Sequence, residues 1–433
     1  MSQAVAGHIS ALRILLVGVL ALALLAGLVA WLNLRGEDGI PDAPPPFVPT
    51  AGQVKRGEYL ARAGNCIACH TARGGAPYAG GRAVRTPFGT VYSTNITPDA
   101  KTGIGTWTPA HFWRALHNGR SKDGRLLYPA FPYPEYTLVT REDADAIFAF
   151  LSSVPPVAQV QRPHELRFPY NSQVALAVWR ALFFQPEKFE ADTAKPPDWN
   201  RGAYLVRGLA HCVACHSSRN ALGGTNDQLE LSGGVIPMQG WYAPSLTSPR
   251  EAGVADWDAA HVVQLLKTGV SPRGSVMGPM AEVVYRSTQY LADEDLRAMA
   301  VFLKALPPAT SSRASADQRM TDEVRTRGGR LYEQHCAQCH GDQGEGALGA
   351  YPALAGNRAV RMDVPANVIR AVLSGGYLPA TAGNPRPYGM PPFAHTLGDA
   401  EIADVVSFIR GSWENGAAPV SQLQVMKSRS GVE

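Results

Sequence analysis

Charge is sparse in this chain of 433 residues: Asp, Glu, Lys and Arg make up 18% of it, and no Lys/Arg run or basic helix stands out. The formal net charge of +4 is spread thinly, so nucleic acid, which needs a basic stripe to neutralise phosphates, is not an expected partner. Cysteine is also scarce. There are 6, and none is left over for a disulfide, because all fall within three pentapeptides. Methionine is absent between His70 and His211. By contrast there are 43 Gly and 34 Pro among 45% hydrophobic residues. That mixture describes compact modules with long structured loops, and it excludes a disordered polymer.

The pentapeptides are Cys66-Ile67-Ala68-Cys69-His70, Cys212-Val213-Ala214-Cys215-His216 and Cys336-Ala337-Gln338-Cys339-His340. C-x-x-C-H places two thiols for thioether bonds to haem vinyl groups beside an imidazole that turns back to the iron, so five residues supply two tethers and an axial ligand. The competing chemistry is zinc or a thioredoxin-like pair. Zinc would have to join clusters about 124 to 146 residues apart, and a redox pair does not need His after it each time. The expected cofactors are three covalently bound haem c groups, tethered by Cys66, Cys69, Cys212, Cys215, Cys336 and Cys339, with His70, His216 and His340 as proximal ligands.

From Ile14 to Leu34 no charged residue occurs, a run long enough to cross a bilayer as a helix. A cleaved signal peptide is the alternative, but its core is usually shorter and Leu28 before Ala30 makes a poor cleavage site. Arg13 before the run and Glu37 and Asp38 after it orient the N-terminus towards the cytoplasm. The expected location is a bacterial cytoplasmic membrane with the haem domains facing the periplasm, and the stretch Pro41 to Pro49 serves as a stiff spacer.

Beyond the anchor the chain repeats itself. Arg56-Gly57-Glu58-Tyr59-Leu60, Arg201-Gly202-Ala203-Tyr204-Leu205 and Arg327-Gly328-Gly329-Arg330-Leu331-Tyr332 precede the three motifs and read as amphipathic helices leading into them. A second helix is predicted over His111 to Gly119, His261 to Gly269 and Asn367 to Gly375, stopped each time by glycine. A third is predicted over Thr140 to Leu151, Ala292 to Leu303 and Gly398 to Ile409, with acidic first turns. The fold class is therefore mainly α, with three tandem class I cytochrome c-like domains after a transmembrane helix. Proline-rich breaks divide the chain into an anchor and spacer (1–50), domains at 51–156, 197–308 and 321–416, a connector (157–196), a polar linker (309–320, from Ser311 to Gln318 at its centre) and a tail (417–433). Phe168, Tyr170, Trp179, Phe183, Phe184 and Phe189 are too many aromatics for a plain connector, so a short helix packed between domains, or against a partner, is expected there.

This layout, with Gly89-Thr90-Val91-Tyr92-Ser93-Thr94-Asn95-Ile96-Thr97-Pro98, Gly278-Pro279-Met280-Ala281-Glu282-Val283-Val284 and Met390-Pro391-Pro392-Phe393, resembles the three-haem cytochrome c subunits of bacterial membrane-bound dehydrogenases that oxidise alcohols, gluconate, other sugars or aldehydes. The resemblance implies no substrate chemistry in this chain. It implies a separate catalytic subunit of molybdenum, flavin or pyrroloquinoline quinone type, and electron delivery to membrane quinone or a terminal acceptor. Phe131 leans towards molybdenum systems oxidising aldehydes or N-heterocycles. A self-contained haem enzyme, such as a peroxidase or thiosulfate-oxidising cytochrome, is the alternative, and a haem-based sensor is a third class.

Methionine thioether opposite His raises haem potential and suits electron transfer. Met280, in the Gly-Pro loop matching the family's motif, is chosen over Met277, Met238 and Met299, and Met390 over Met362. The resemblance also places backbone carbonyls at Pro244 and Pro352 to accept from the proximal imidazoles. The first site departs from the family: its loop reads Tyr128-Pro129-Ala130-Phe131-Pro132-Tyr133, and Phe131 cannot bind iron. His117, found only in the repeat without Met, is the candidate sixth ligand, with an open iron or another ligand as alternatives. His111 aligns with His261, which shares a repeat with Met280 and so need not be a ligand. The bland reading of His117 is a solvated histidine at a helix C-terminus.

Overall fold

A computed structural model describes residues 2–41, 46–225, 229–309, 319–347 and 349–430, with only the backbone of 2–11. The segment Ser311 to Gln318 lies outside the described residues. The architecture is mainly helical, with small antiparallel hairpins between helices. One helix crossing occurs three times. The leading helices are Ala51–Ala63, Pro197–Ala203 continued by the π-helix Tyr204–Leu209, and Asp322–His335. They cross the terminal helices Arg141–Ser153, Asp293–Lys304 and Asp399–Gly411. Glycine makes the crossing possible: a Cβ on Gly57, Gly202 or Gly328 would lie 1.8, 2.0 or 2.3 Å from the carbonyl oxygen of Ala146, Ala298 or Asp404. The Arg before each glycine pins the crossing, from Arg56 Nε to Asp143 Oδ1 (3.0 Å), Arg201 Nε to Asp295 Oδ1 (2.8 Å) and Arg327 Nε to Asp404 Oδ2 (2.6 Å). The third acidic partner sits one turn further along its helix than the other two.

The middle helices run Pro109–Asn118, Ala259–Thr268 and Ala366–Ser374. Gly119, Gly269 and Gly375 follow them at positive φ, so the glycine stops end these helices where the pattern placed them. Thr108 and Asp258 cap the first two, accepting from His111 N and Ala260 N.

The first and second repeats share one hydrophobic core, whereas the third has its own. A reciprocal pair of bonds locks the first two. Tyr59 donates to Asp295 Oδ2 and Tyr204 to Asp143 Oδ2, each at 2.6 Å, so each repeat's leading helix bonds the other's terminal helix. Each phenol also accepts from the start of that terminal helix, at Ala292 N and Thr140 N. The third repeat carries Arg330, exposed, in the corresponding position, and makes no such exchange. It joins the second through Asn367, bonded both ways to the Tyr242 backbone (2.9 and 2.7 Å), and through Arg358–Asp256 and Arg250–Asp363.

The anchor forms one helix, Ser2–Leu34, whose apolar span is Leu12–Leu34. Its end is docked on the first repeat. Asn118 donates to Gly36 O, Arg120 to Asn33 O, and Arg120 pairs with Glu37 at 2.8 Å. The first repeat therefore meets the end of the span before Pro41; residues 42–45 of the expected spacer lie outside the described residues. The connector contains helix Gln173–Phe183. It packs between repeats as expected, Trp179 donating to Leu222 O and Phe189 lying edge-on to Tyr204, but it also packs on the anchor. The tail is not a free segment either: helix Gln422–Ser430 buries Val425 in the third core.

Candidate haem sites

Each C-x-x-C-H forms a single helical turn at the end of its leading helix. Asn65 and His211, just before the first two turns, take left-handed backbone angles that swing the motif off the helix axis. The imidazole Nδ1 atoms of His70, His216 and His340 lie 2.7, 2.7 and 3.0 Å from the carbonyls of Thr94, Pro244 and Pro352. Such a bond fixes the tautomer and leaves Nε2 for a metal. Burial lowers the pKa of all three, with the carbonyl opposing it, so they are neutral bases at pH 7, as ligation requires. Burial pushes Cys66 and Cys212 up to about 12 and Cys336 to about 11. Buried thiols of this kind are poor redox nucleophiles. Among the described residues no three His, Cys, Asp or Glu side chains gather to hold a metal ion, which leaves the zinc alternative without a site. The donor set, paired thiols with a neutral oriented imidazole, fits haem c.

Met280 lies in the first turn of helix Pro279–Arg286 and packs against the small cluster of Val276, Ala281 and Val284, while Met390 lies on a strand, Gly389–Met390, pairing with Gly376–Tyr377. Three of the four rivals are engaged elsewhere, and the fourth, Met238, is exposed. Met299 is buried in its terminal helix, Met362 is buried with its carbonyl accepting from Arg410, and Met277 reaches Gly376 of the third repeat. In the first repeat Phe131 packs on Tyr136 at 5.4 Å.

His117 is buried, not solvated. Its ring stacks on Trp113 (centroids 4.4 Å apart, 13° between planes) and Nδ1 bonds Thr137 O at 2.9 Å. Lys267, its counterpart in the second repeat, likewise donates to a carbonyl just before the terminal helix, Leu291 O. His111 closes the cap of its own helix through Thr108, at 2.8 Å.

Sequence reasoning did not find a cross-repeat cluster at the first motif. Arg82 donates to Ala68 O inside that motif (2.5 Å) and forks onto Glu282 (2.5 and 2.8 Å), two residues after Met280. The second motif has a partial counterpart, since Arg219 donates to Ala214 O at 2.7 Å. There the corresponding carboxylate is Glu135, which burial pushes up to about 7 against the pull of Arg219. No spacing rule links these residues, because the arginines stand at different distances from their cysteines. From the ordinary value of 4.5 to about 7, the folded chain keeps a proton that the unfolded chain has released. Stability should therefore fall as pH rises through that window, by up to ~3 kcal/mol. Glu135→Gln should flatten the midpoint-against-pH curve between those limits; an unchanged slope would reject the assignment.

The cytochrome c family model matches residues 54–155 and 326–413, the first and third repeats, and the second carries the same helix crossing between them. The chain is 40% identical to the cytochrome c subunit of a quinone alcohol dehydrogenase from Gluconobacter oxydans, over 87% of this chain and 82% of that one. It is 40% identical to the gluconate 2-dehydrogenase cytochrome c subunit of Pantoea cypripedii, over 84% and 86%. A subunit of the nicotinate dehydrogenase of Pseudomonas putida is 39% identical over 93% of this chain but only 34% of its own length. With C-x-x-C-H turns, oriented imidazoles and this similarity along most of its length, the chain belongs to the family of cytochrome c subunits of dehydrogenases, the electron-transfer and not the catalytic subunits of those complexes.

Proposed function

We propose that the chain relays electrons through three haem c groups, one in each of the domains 51–156, 197–308 and 321–416, from a catalytic dehydrogenase subunit to membrane quinone or another terminal acceptor. Haem supplies a one-electron iron couple at each site, tuned by its axial ligands. The chain's residues hold and orient it: the six cysteines as tethers, His70, His216 and His340 proximally, and Met280 and Met390 distally. At the first site Phe131 takes the place of a thioether, and we read His117, stacked on Trp113 with Nδ1 on Thr137 O, as a packing residue; that bond leaves Nε2 free, so substitution of His117 is the deciding test. The observation that carries the reading is the Arg82 cluster, which ties the Cys66–Cys69 turn to the helix bearing Met280, so that one repeat's attachment turn abuts the next repeat's ligand loop. Rigid proximity of this kind serves transfer between haems.

The anchor keeps the domains on the periplasmic face of the membrane. Phe131, together with the similarity to the nicotinate dehydrogenase subunit, favours a partner that oxidises N-heterocycles or aldehydes. The test takes the purified full-length chain. Alkaline pyridine spectra should report three haems per chain, and the chain alone should show no turnover with aldehydes, alcohols, peroxide or thiosulfate. Sizeable turnover without a partner would sink the relay reading. His117→Ala should leave the low-spin spectrum and carbon monoxide binding of the wild type unchanged; a new carbon monoxide-binding haem would restore His117 as a ligand.

A further inference from the structure

The connector helix Gln173–Phe183 exposes Val174, Val178 and Leu182, with relative exposures of 75%, 43% and 64%. Spaced four apart, they form one apolar stripe along one face, and Phe168, just upstream, is 84% exposed. Stripes of this kind on a soluble surface mark a contact. The position of the helix says with what. It is bolted to the last turn of the anchor: Asn33 donates to Ala177 O (2.9 Å) and accepts from Arg180 Nε (2.8 Å), and Gly36 abuts Pro186. Asn33 is the second-last residue of the span Leu12–Leu34, so this joint lies where a spanning helix leaves the hydrocarbon. Trp31, exposed nearby on the anchor, is a residue type that concentrates at that depth.

Charge agrees with this placement. Arg180 is the one charged residue in the helix, and it is turned inward, 2% exposed, beneath the rings of Tyr133 and Phe184. The outer stripe can therefore enter lipid without burying a charge.

We propose that this helix lies in the plane of the outer bilayer surface, with Val174, Val178 and Leu182 among the lipid chains beside the exit of the anchor. It gives the protein a second point of membrane contact, of the in-plane amphipathic kind. A single span lets the body swivel; two contacts joined through Asn33 and Arg180 fix the tilt of the first and second repeats over the membrane. The inference rests on the anchor being retained.

The test is photocrosslinking of the full-length, haem-loaded protein in vesicles of phosphatidylethanolamine and phosphatidylglycerol. A benzophenone amino acid replaces Val178 or Leu182, with Leu22 in the span as the positive control and Val160, exposed at 78% and outside this helix, as the negative one. Phospholipid adducts are expected at Val178 and Leu182 in yields comparable to Leu22, with none at Val160. Lipid adducts at Leu22 but not at either connector position would overturn the inference and leave the anchor standing, whereas their absence at Leu22 too would remove both. In native membranes, adducts from Val178 and Leu182 to a protein chain in place of lipid would assign the stripe to the catalytic partner and overturn the proposal.

Discussion

Gly202→Val should cost the protein two of its haem sites, although it alters only one repeat. A Cβ at Gly202 would stand 2.0 Å from Ala298 O and 2.7 Å from Phe302 Cβ, and backbone cannot rotate out of the way as a side chain can. The two helices must separate, which opens the Arg201–Asp295 pair and withdraws Asp295 from Tyr59. Overpacking of this kind costs ~3 kcal/mol or more, a sizeable fraction of the roughly 5–15 kcal/mol that holds a domain. Because the first and second repeats share one core, the damage spreads to Cys66–His70 as well as Cys212–His216. Gly328→Val makes the same clash with Asp404 O at 2.3 Å, but its core is separate, so only the third site should fail. Haem per chain by pyridine spectra, with thermal unfolding, separates the cases. If Gly202→Val and Gly328→Val each lose a single haem, the shared-core account of the first two repeats is wrong. Gly52→Ala, on the exposed face of its helix with nothing nearer than 4.0 Å, should be neutral or slightly stabilising.

Met390→Ala should change the redox behaviour of the third site while leaving its haem attached. Loss of the thioether lowers that site's potential by roughly 0.1–0.3 V, within the ≈ 0.8 V range set by axial ligands, and leaves one more haem able to bind carbon monoxide when reduced. Met280→Ala should do the same at the second site. Met277→Ala and Met362→Ala should leave the redox titration unchanged, since the first side chain faces Gly376 and the second is core. A Met277 variant that loses a low-spin haem while the Met280 variant keeps all of its own would exchange the two assignments.

Much of the architecture could be read locally. C-x-x-C-H needs only five adjacent residues, so its chemistry is visible without a fold. Helix starts and stops are likewise set by near neighbours: glycine at positive φ after Asn118 and Thr268, Thr108 over His111 N, and acidic first turns on the terminal helices. The repeated Arg-Gly pair was visible as a pattern, but its meaning was not. Arg56 and Asp143 are 87 residues apart and Arg82 and Glu282 are 200 apart, and no periodicity predicts contacts at such separations.

The amino-acid sequence by itself determined the attachment chemistry, the helical repeats and an N-terminal segment long and apolar enough to span a bilayer, because each depends on residues within a few turns of one another. The tertiary structure alone decided which repeats are partners. Tyr59 and Tyr204 reach across to Asp295 and Asp143, while Arg330 in the corresponding place does not, and a phenol's partner is known only once two helices have crossed. It also decided that His117 is enclosed against Trp113 and Thr137, that the end of the anchor is docked on the first repeat at Asn33 and Glu37, and that Glu135 is buried without the fork that steadies Glu282. Burial and pairing are properties of the packed chain, and a one-dimensional pattern carries them only where packing follows from the period of a single helix.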